Sequence, residues 1–427
     1  MHRFGKLGLG VVGTVALTLT AGCSGGGTSS GAGEDTIVLQ TNWTTGGQES
    51  APLKAALKGF TAKTGVKVKV LENGDDLNQV YETSVLAGDE ADVLLVGLLE
   101  KQLDWVRSGA VVPAEDYVSQ WGLADKIPAD ALADWKDAQG HLRGLPYAGF
   151  TWPWWYNKAV FDKYGIALPT TVDQLIAAAG QLRAHGVGPV AVGGNDWSGQ
   201  KIFLQIMESF MPADEAKKVF AQGGTCGNAN AMRGIELFTE LRDAGVFVDS
   251  AEGLTADQAS AMYFNGTAAI APIGSWSYLS ADASVAGSTV LGGLPTAPGG
   301  AYTKPTAYSG STSAGWWISP NGKKKLSSVE KLVQYMYQPE VLRSMVTDGG
   351  VVPPVGTAVD TSAVASPLLK QSIADLPADV DFAVMPDLYV PGNVGNPMYR
   401  ATSIAYTKGN DAQKICSTVD AVYQSAK

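Results

Sequence analysis

Residues 144–166, GLPYAGFTWPWWYNKAVFDKYGI, set Trp152, Trp154 and Trp155 around Pro153, one step ahead of Tyr156-Asn157-Lys158 and an amphipathic helix. Large flat rings beside glycine and proline, outside any long apolar period, are badly placed to serve only as core, and they describe a surface on which a ring-shaped ligand can stack. The pattern recurs. Eight of the eleven tryptophans (Trp43, Trp152, Trp154, Trp155, Trp197, Trp276, Trp316 and Trp317) stand beside Gly, Pro, Ser, Thr or Asn at the ends of expected strands, whereas Trp105, Trp121 and Trp135 read as packing residues. Neighbours on a strand face opposite sides, so Trp155 and one of Trp316 and Trp317 are expected to point inward, leaving Trp152 and Trp154 for a ligand. For any one ring, core packing and ligand contact both stay open.

Magnitudes favour a neutral ligand. An indole face buries roughly 150–250 Å², which at about 25 cal/mol per Å² is on the order of 4 kcal/mol before entropic costs. Two opposed rings approach the ~8 kcal/mol of micromolar binding without a buried counter-charge. A pyranose offers an apolar CH face for stacking and hydroxyls at its edge, so polar groups should surround the indoles. The candidates are Asn42, Gln48, Asn195, Asp196, Ser275, Ser311, Asp387 and Asn396, with Trp43, Trp152, Trp154, Trp197 and Trp276 as the rings. Asp196 is the favoured carboxylate because Gly193-Gly194-Asn195-Asp196-Trp197 directly follows an expected strand; its alternative role is a helix N-cap.

Other chemistries lack material. Past the first residues only His141 and His185 occur, too few for a histidine triad or a multi-histidine metal site, and no G-x-S-x-G, H-E-x-x-H or phosphate-loop sequence is present. No catalytic residue, metal or cofactor is therefore expected. A secreted glycoside hydrolase needs only two facing carboxylates, and with 41 acidic residues it remains the alternative from another class. A surface adhesin that merely presents tryptophans is a third reading. The net charge of −10, with Lys323-Lys324-Lys325 as the single local basic cluster, opposes nucleic acid as a partner.

The elements that must carry these loops alternate. Short apolar strands are expected at 36–39, 66–71, 93–96, 190–192, 268–273 and 314–318, with helices at 77–86 and 232–244 and another capped by Thr171 between them, a pattern of α/β architecture. In open α/β sheets ligands sit beyond the carboxyl ends of strands, where these tryptophan loops collect. The stretch 292–308, rich in Gly, Pro and Thr, reads as a linker.

The N-terminus carries Arg3 and Lys6, an apolar run at 7–20 that is shorter than the ~20 residues of a spanning helix, then Ala21-Gly22-Cys23. Residues 1–22 are read as a secretory leader and 23–34 as a Gly/Ser tether. Without the leader, 29 basic face 41 acidic side chains, a net of −12. With Cys23 set aside as the N-terminal anchor, Cys226 and Cys416 form an even pair in an oxidising compartment. They are either a disulfide or two separately buried thiols.

The ordered markers resemble those of extracellular solute-binding proteins of ABC importers, in the carbohydrate branch that includes maltodextrin-binding proteins. Gly-Leu-Pro-Tyr at 144–147 and Tyr-Asn-Lys at 156–158 match the first crossing and its exit. Residues 265–269 followed by Gly274-Ser275-Trp276 look like the loop ahead of a second-lobe aromatic, 311–319 like the return strand, and Met385-Pro386-Asp387 like a late binding loop. The start resembles a bacterial lipoprotein signal, with Cys23 as the lipidated residue and Thr20 where leucine is usual; an ordinary cleaved leader is the alternative. The resemblance implies a type II two-lobe fold with mixed, mostly parallel sheets. Lobe one would be 35–150 plus 304–352 and lobe two 151–303 plus 353–427, joined by crossings at 149–153, 303–306 and 351–355. It also implies a monomer, lipid-anchored on the outer face of the bacterial membrane, that takes a di- or oligosaccharide to a permease, with a polyol or peptide as other cargoes. Glu100 stands where the family sometimes contacts sugar, although Leu99 beside it departs from the polar residue expected there.

Overall fold

The computed structural model describes residues 36–74 and 76–426. The expected leader, the tether and Cys23 lie outside the described residues. Among the described residues, ten strands divide between two sheets. β1 (Thr36–Thr41) runs parallel to β2 (Lys67–Glu72) on one side and β3 (Val93–Val96) on the other; β3 is buried throughout, as its unbroken Val-Leu-Leu-Val predicts. The second sheet takes the order β6 (Gly188–Val190), β7 (Ala268–Pro272), β5 (Trp154–Asn157), β8 (Thr289–Gly292). Here β6 and β7 are parallel while β5 is antiparallel to both neighbours. Helices flank both sheets. Thr171 caps the helix Val172–Ala184 through a capping box with Gln174, and Val172, Leu175 and Leu182 form its buried face.

Each sheet has its own hydrophobic core. One gathers Leu39, Phe60, Tyr81, Trp105 and Trp317; the other gathers Trp155, Phe161, Phe203, Phe238 and Met398. Core membership changes between Ala148 and Phe150, between Tyr308 and Ala314, and between Val351 and Val352. The first change falls within β4 (Leu145–Trp152) and the second within β9 (Thr306–Ile318), two strands that pair antiparallel across the whole junction. β9 therefore passes from one lobe to the other without interruption. The Gly/Pro-rich stretch expected to be the second crossing instead closes on itself in lobe two, where Leu294 and Thr306 exchange both backbone hydrogen bonds (2.8 and 2.9 Å). At its start β9 also pairs parallel with β10 (Asp381–Phe382).

The three crossings meet at Gly149. Its N–H donates to the carbonyl of Val352 (2.8 Å), and the β4–β9 register shifts on either side of Ala148. A Cβ at this position would sit 2.5 Å from the Pro353 oxygen and 2.7 Å from the Gly310 oxygen. Only glycine lets the strands approach so closely. Beyond the third crossing the chain returns to lobe two as a largely helical tail. Its helix Gly392–Tyr406 packs on the helix Trp197–Met207, where the Tyr406 hydroxyl donates to the Gly199 carbonyl (2.8 Å). The last helix, Ala412–Ser425, is tied back by a Cys226–Cys416 disulfide with its Cα atoms 5.2 Å apart, and Asp420 accepts from the N–H groups of Thr225 and Cys226. Among the described residues no helix is long and apolar enough to cross a membrane.

Two outcomes are expected. Gly149→Ala should lower unfolding free energy by about 1–3 kcal/mol, the usual cost of forcing atoms into a filled site, as read by urea melts; unchanged stability would mean the crossings are looser than described. Cys416→Ala opens a loop of 190 residues, for which chain entropy sets an upper limit of about 5 kcal/mol. Its melting temperature should fall, and added reductant should then have no further effect.

Candidate functional site

The lobes meet beside the crossings. Trp43, Gln48 and Glu49 on the loop after β1 face Ser275 and Trp276 on the loop after β7, with Ala148, Gly149 and Val351 behind them, around a cavity of about 10 Å³. That is room for about one water. The Gln48 amide spans the two lobes: Nε2 donates to the carbonyls of Ser275 (3.1 Å) and Gly350 (3.3 Å), and Oε1 accepts from the N–H of Leu279 (3.0 Å). All its groups are in use. Glu49 beside it has its carboxyl pushed up to about 7 by burial, against a smaller opposing pull from its own backbone N–H, so near neutral pH it can either donate or accept a hydrogen bond.

On the lobe-two side the indoles cluster. Trp152 lies 5.1 Å from Trp197 and 6.3 Å from Trp276, with Trp197 and Trp276 5.9 Å apart and Tyr308 5.9 Å from Trp152. Trp276 is 40% exposed and Trp197 partly so, whereas Trp152 is buried with its indole N–H lacking a hydrogen-bond partner. The Trp276 ring folds back over Gly274, where any side chain would strike it. Trp43 stands opposite, mostly buried against Tyr147 at 6.3 Å.

The remaining loop tryptophans are core. Trp154 was expected to face a ligand, but both faces of β5 are covered: Trp154 is fully buried with its Nε1–H on Gln205 Oε1 (3.2 Å), and Trp155 donates to the Ile273 carbonyl (2.8 Å). Trp316 and Trp317 are both fully buried in lobe one, the latter donating to the Val96 carbonyl (3.0 Å). Alternation along a strand sends one ring each way, but it says nothing of what covers the far side.

Three expected polar contacts turn out to hold the scaffold. Asp196 is the N-cap of the helix Trp197–Met207: Oδ1 accepts from Ser198 N–H (2.9 Å) and hydroxyl (2.7 Å), and Oδ2 from Ala256 N–H (2.7 Å). Ser311 is fully buried, and its Oγ accepts from the Val355 N–H (2.9 Å) at the third crossing. Asp387 is 1% exposed with a carboxylate oxygen 2.6 Å from Lys201 Nζ. Ser275 is buried, its carbonyl taken by Gln48 and its Oγ accepting from Thr151 N–H (3.4 Å). Asn42 beside Trp43, Asn195 beside Asp196, and Asn396 on the helix Gly392–Tyr406 are exposed.

Sequence reasoning missed Lys201 and Glu49. Lys201 is 3% exposed, four residues after Trp197 and therefore on the same helix face, with its ammonium 5.6 Å from the Trp197 ring centre. Burial depresses an ammonium, but the carboxylates of Asp387 and Glu100 outweigh it and hold Lys201 above its ordinary value. Asp387 is pushed well above the usual carboxylate range by burial, with the Glu100 charge adding to the shift. A lysine on an otherwise apolar helix and a carboxylate next to Gln48 were the signals on offer. Neither histidine is near: His141 is exposed and pairs with Glu115 (3.0 Å), and His185, also exposed, stacks on Tyr164 (4.1 Å). Among the described residues no three His, Cys, Asp or Glu side chains converge to hold a metal.

Comparison with known proteins agrees with this geometry. The sequence pattern of the family described as bacterial extracellular solute-binding protein matches residues 44–342. A probable sugar-binding periplasmic protein of Brucella suis biovar 1 is 30% identical over 285 residues, 65% of this chain and 65% of the relative. One from Rhizobium meliloti is 28% identical over 257 residues, covering 58% of this chain and 60% of the relative. The matched region thus spans just under two thirds of the length of these relatives. A probable secreted solute-binding lipoprotein from Streptomyces coelicolor is 42% identical, with TM-score 0.81 over 92% of this chain and 99% of that one. The GacH receptor of Streptomyces glaucescens, solved unliganded and with acarbose, shares the fold at TM-score 0.74 and 18% identity over 92% of this chain and 98% of its own. With the family pattern spanning most of the sequence, and two lobes meeting at a tryptophan-lined hinge, this chain belongs to the bacterial extracellular solute-binding proteins.

Proposed function

We propose that this protein captures a sugar between its lobes and delivers it to the membrane permease of an ABC transporter. The observation that carries the reading is the approach of Trp43 and Trp276 from opposite lobes to one cavity beside the hinge, with the Trp152–Trp197 pair adjoining. Names of relatives support the cargo class: sugar-binding periplasmic proteins in Brucella and Rhizobium, and an acarbose-bound receptor in Streptomyces. Stacking on indole needs a ring with an apolar face, and Glu49, Asn42 and Asn396 supply hydrogen bonds for hydroxyls, while Gln48 can do so only by giving up one of its interlobe bonds. Several rings in one region suit a di- or oligosaccharide. Binding favours the lobes-together state by no more than the ligand's differential affinity for it, and no covalent step is involved.

The protein acts outside the cytoplasm as a monomer, held to the membrane through lipid on Cys23 after residues 1–22 are removed, with residues 23–34 as the tether. The lobe division expected from the resemblance, 35–150 with 304–352 and 151–303 with 353–427, is kept with one change: the second crossing falls in β9 between Tyr308 and Ala314, so 304–308 go with lobe two. The Streptomyces coelicolor lipoprotein supports the anchor by its description alone.

Titration of the protein with mono-, di- and oligosaccharides, followed by tryptophan fluorescence and thermal shift, should give saturable responses to a narrow set. Trp276→Ala should weaken the best ligand about 10- to 100-fold, equivalent to ~1.4–2.8 kcal/mol, while Trp154→Phe, deep in lobe two, should lower stability and leave affinity within about twofold. Release of reducing ends on incubation would replace this reading with a glycoside hydrolase. Silence across the panel would remove sugar as the cargo.

A further inference from the structure

Glu100 opens the short turn Glu100–Gln102 after β3, on the lobe-one side of the cleft, yet it is only 3% exposed. Lobe two covers it. Its backbone carbonyl lies so close to Gly392 that a Cβ there would sit 2.8 Å away, and its side chain fills the space over Gly395. Its carboxylate reaches Lys201 Nζ at 3.4 Å, and the same ammonium is 2.6 Å from Asp387. Lys201 and Asp387 both belong to lobe two. Side-chain exposure is 4% for Lys201, 3% for Glu100 and 1% for Asp387, so two carboxylates from opposite lobes share one cation out of reach of water.

Among the described residues, the groups acting on the cluster offer no second cation. Tyr399 faces it from the helix Gly392–Tyr406, Tyr308 from β9 with its hydroxyl on the Lys201 carbonyl (3.0 Å), and Trp197 from the helix of Lys201 itself. Asp196 and Glu208 also act on those tyrosines; burial pushes the Glu208 carboxyl well above the usual carboxylate range, and neither group is a cation. A buried carboxylate pair with one ammonium cannot carry both negative charges cheaply, and such a pair keeps a proton that separated carboxylates release. With the lobes apart, Lys201 and Asp387 remain as a neutral pair and Glu100 returns to water.

We infer that closing of the two lobes takes up one proton, held at Asp387 when Glu100 of the other lobe joins it on Lys201. This rests on the sugar-capture reading only for its use: lobe closure, and through it ligand retention, is favoured in mildly acidic surroundings and weakened as pH rises. The carboxylate excess makes Glu100 more than an interlobe contact, because a neutral side chain of its shape should serve the closed form better at high pH.

The test needs no sugar. With Glu49→Gln as background, so that the other raised carboxyl at the cleft does not titrate, the radius of gyration is measured by small-angle scattering from pH 5 to 9. The parent should expand with rising pH, its closed-to-open ratio falling up to tenfold per pH unit once that proton begins to leave. Added Glu100→Gln should stay compact over the whole range. Asp387→Asn, which removes the second carboxylate while leaving Glu100 on Lys201, should flatten the profile likewise and serves if Glu100→Gln does not fold. A parent with constant dimensions, or variants that expand as the parent does, would overturn the proposal. Failure of every sugar to bind would remove the function proposed above and leave this result standing.

Discussion

Everything about the cleft depends on how closely three strands can pass one another at Gly149. With the Pro353 and Gly310 oxygens where a Cβ would be, β4, β9 and the stretch at 351–353 form a narrow bundle that positions both lobes at once. The loops that carry Trp43, Gln48, Ser275 and Trp276 leave from strand ends next to that bundle. Movement of one lobe against the other therefore changes the separation of the indoles directly. Hinges absorb motion in a few backbone angles while the packed cores on either side stay rigid, and here the two cores change over within a few residues on each crossing.

Polar groups at the junction divide into those that hold and those that can exchange. Asp196 and Ser311 are saturated by backbone donors and set a helix start and a crossing. Gln48 is also saturated, but by groups of both lobes, so its bonds must be traded when the lobes separate. The charged cluster of Glu100, Lys201 and Asp387 is of the same kind at higher stakes, because an ion left unpaired in a buried site costs far more than an amide does. Trp152, with a buried N–H and no partner, adds a donor beside the aromatic wall.

The sequence made the architecture readable where local signals were unambiguous. Val93–Val96 reads as a covered strand from its apolar run, Thr171 as a cap ahead of a helix, and Cys226 with Cys416 as an even pair; the structure shows each of these elements, the pair as a disulfide. Legibility failed where tertiary cover decides. Trp154 and Trp152 sit two residues apart around a proline with equal claims, and tertiary contacts alone separate them: Trp154 bonds Gln205 inside the helix Trp197–Met207, whereas Trp152 packs on Trp197 at its start, beside Trp276. Likewise the Gly/Pro content of 292–308 suggested a crossing, whereas the strand that begins near its end makes the passage, since Thr, Tyr, Ser and Ala in β9 can extend through both lobes. Lys201 stood out only as a lone charge on its helix; its pairing was not legible, because the two partners lie about 100 and 190 residues away in sequence, beyond any local pattern.

The central claim is that a sugar ring lies between indoles of opposite lobes. A crystal structure with the tightest-binding saccharide from a panel tests this most directly. The account predicts ring density in contact with both Trp43 and Trp276, hydrogen-bonded by groups of each lobe, with Gly149 unchanged between its neighbouring strands. A ligand held by one lobe alone, or seated away from the hinge with Trp276 still facing solvent, would contradict it.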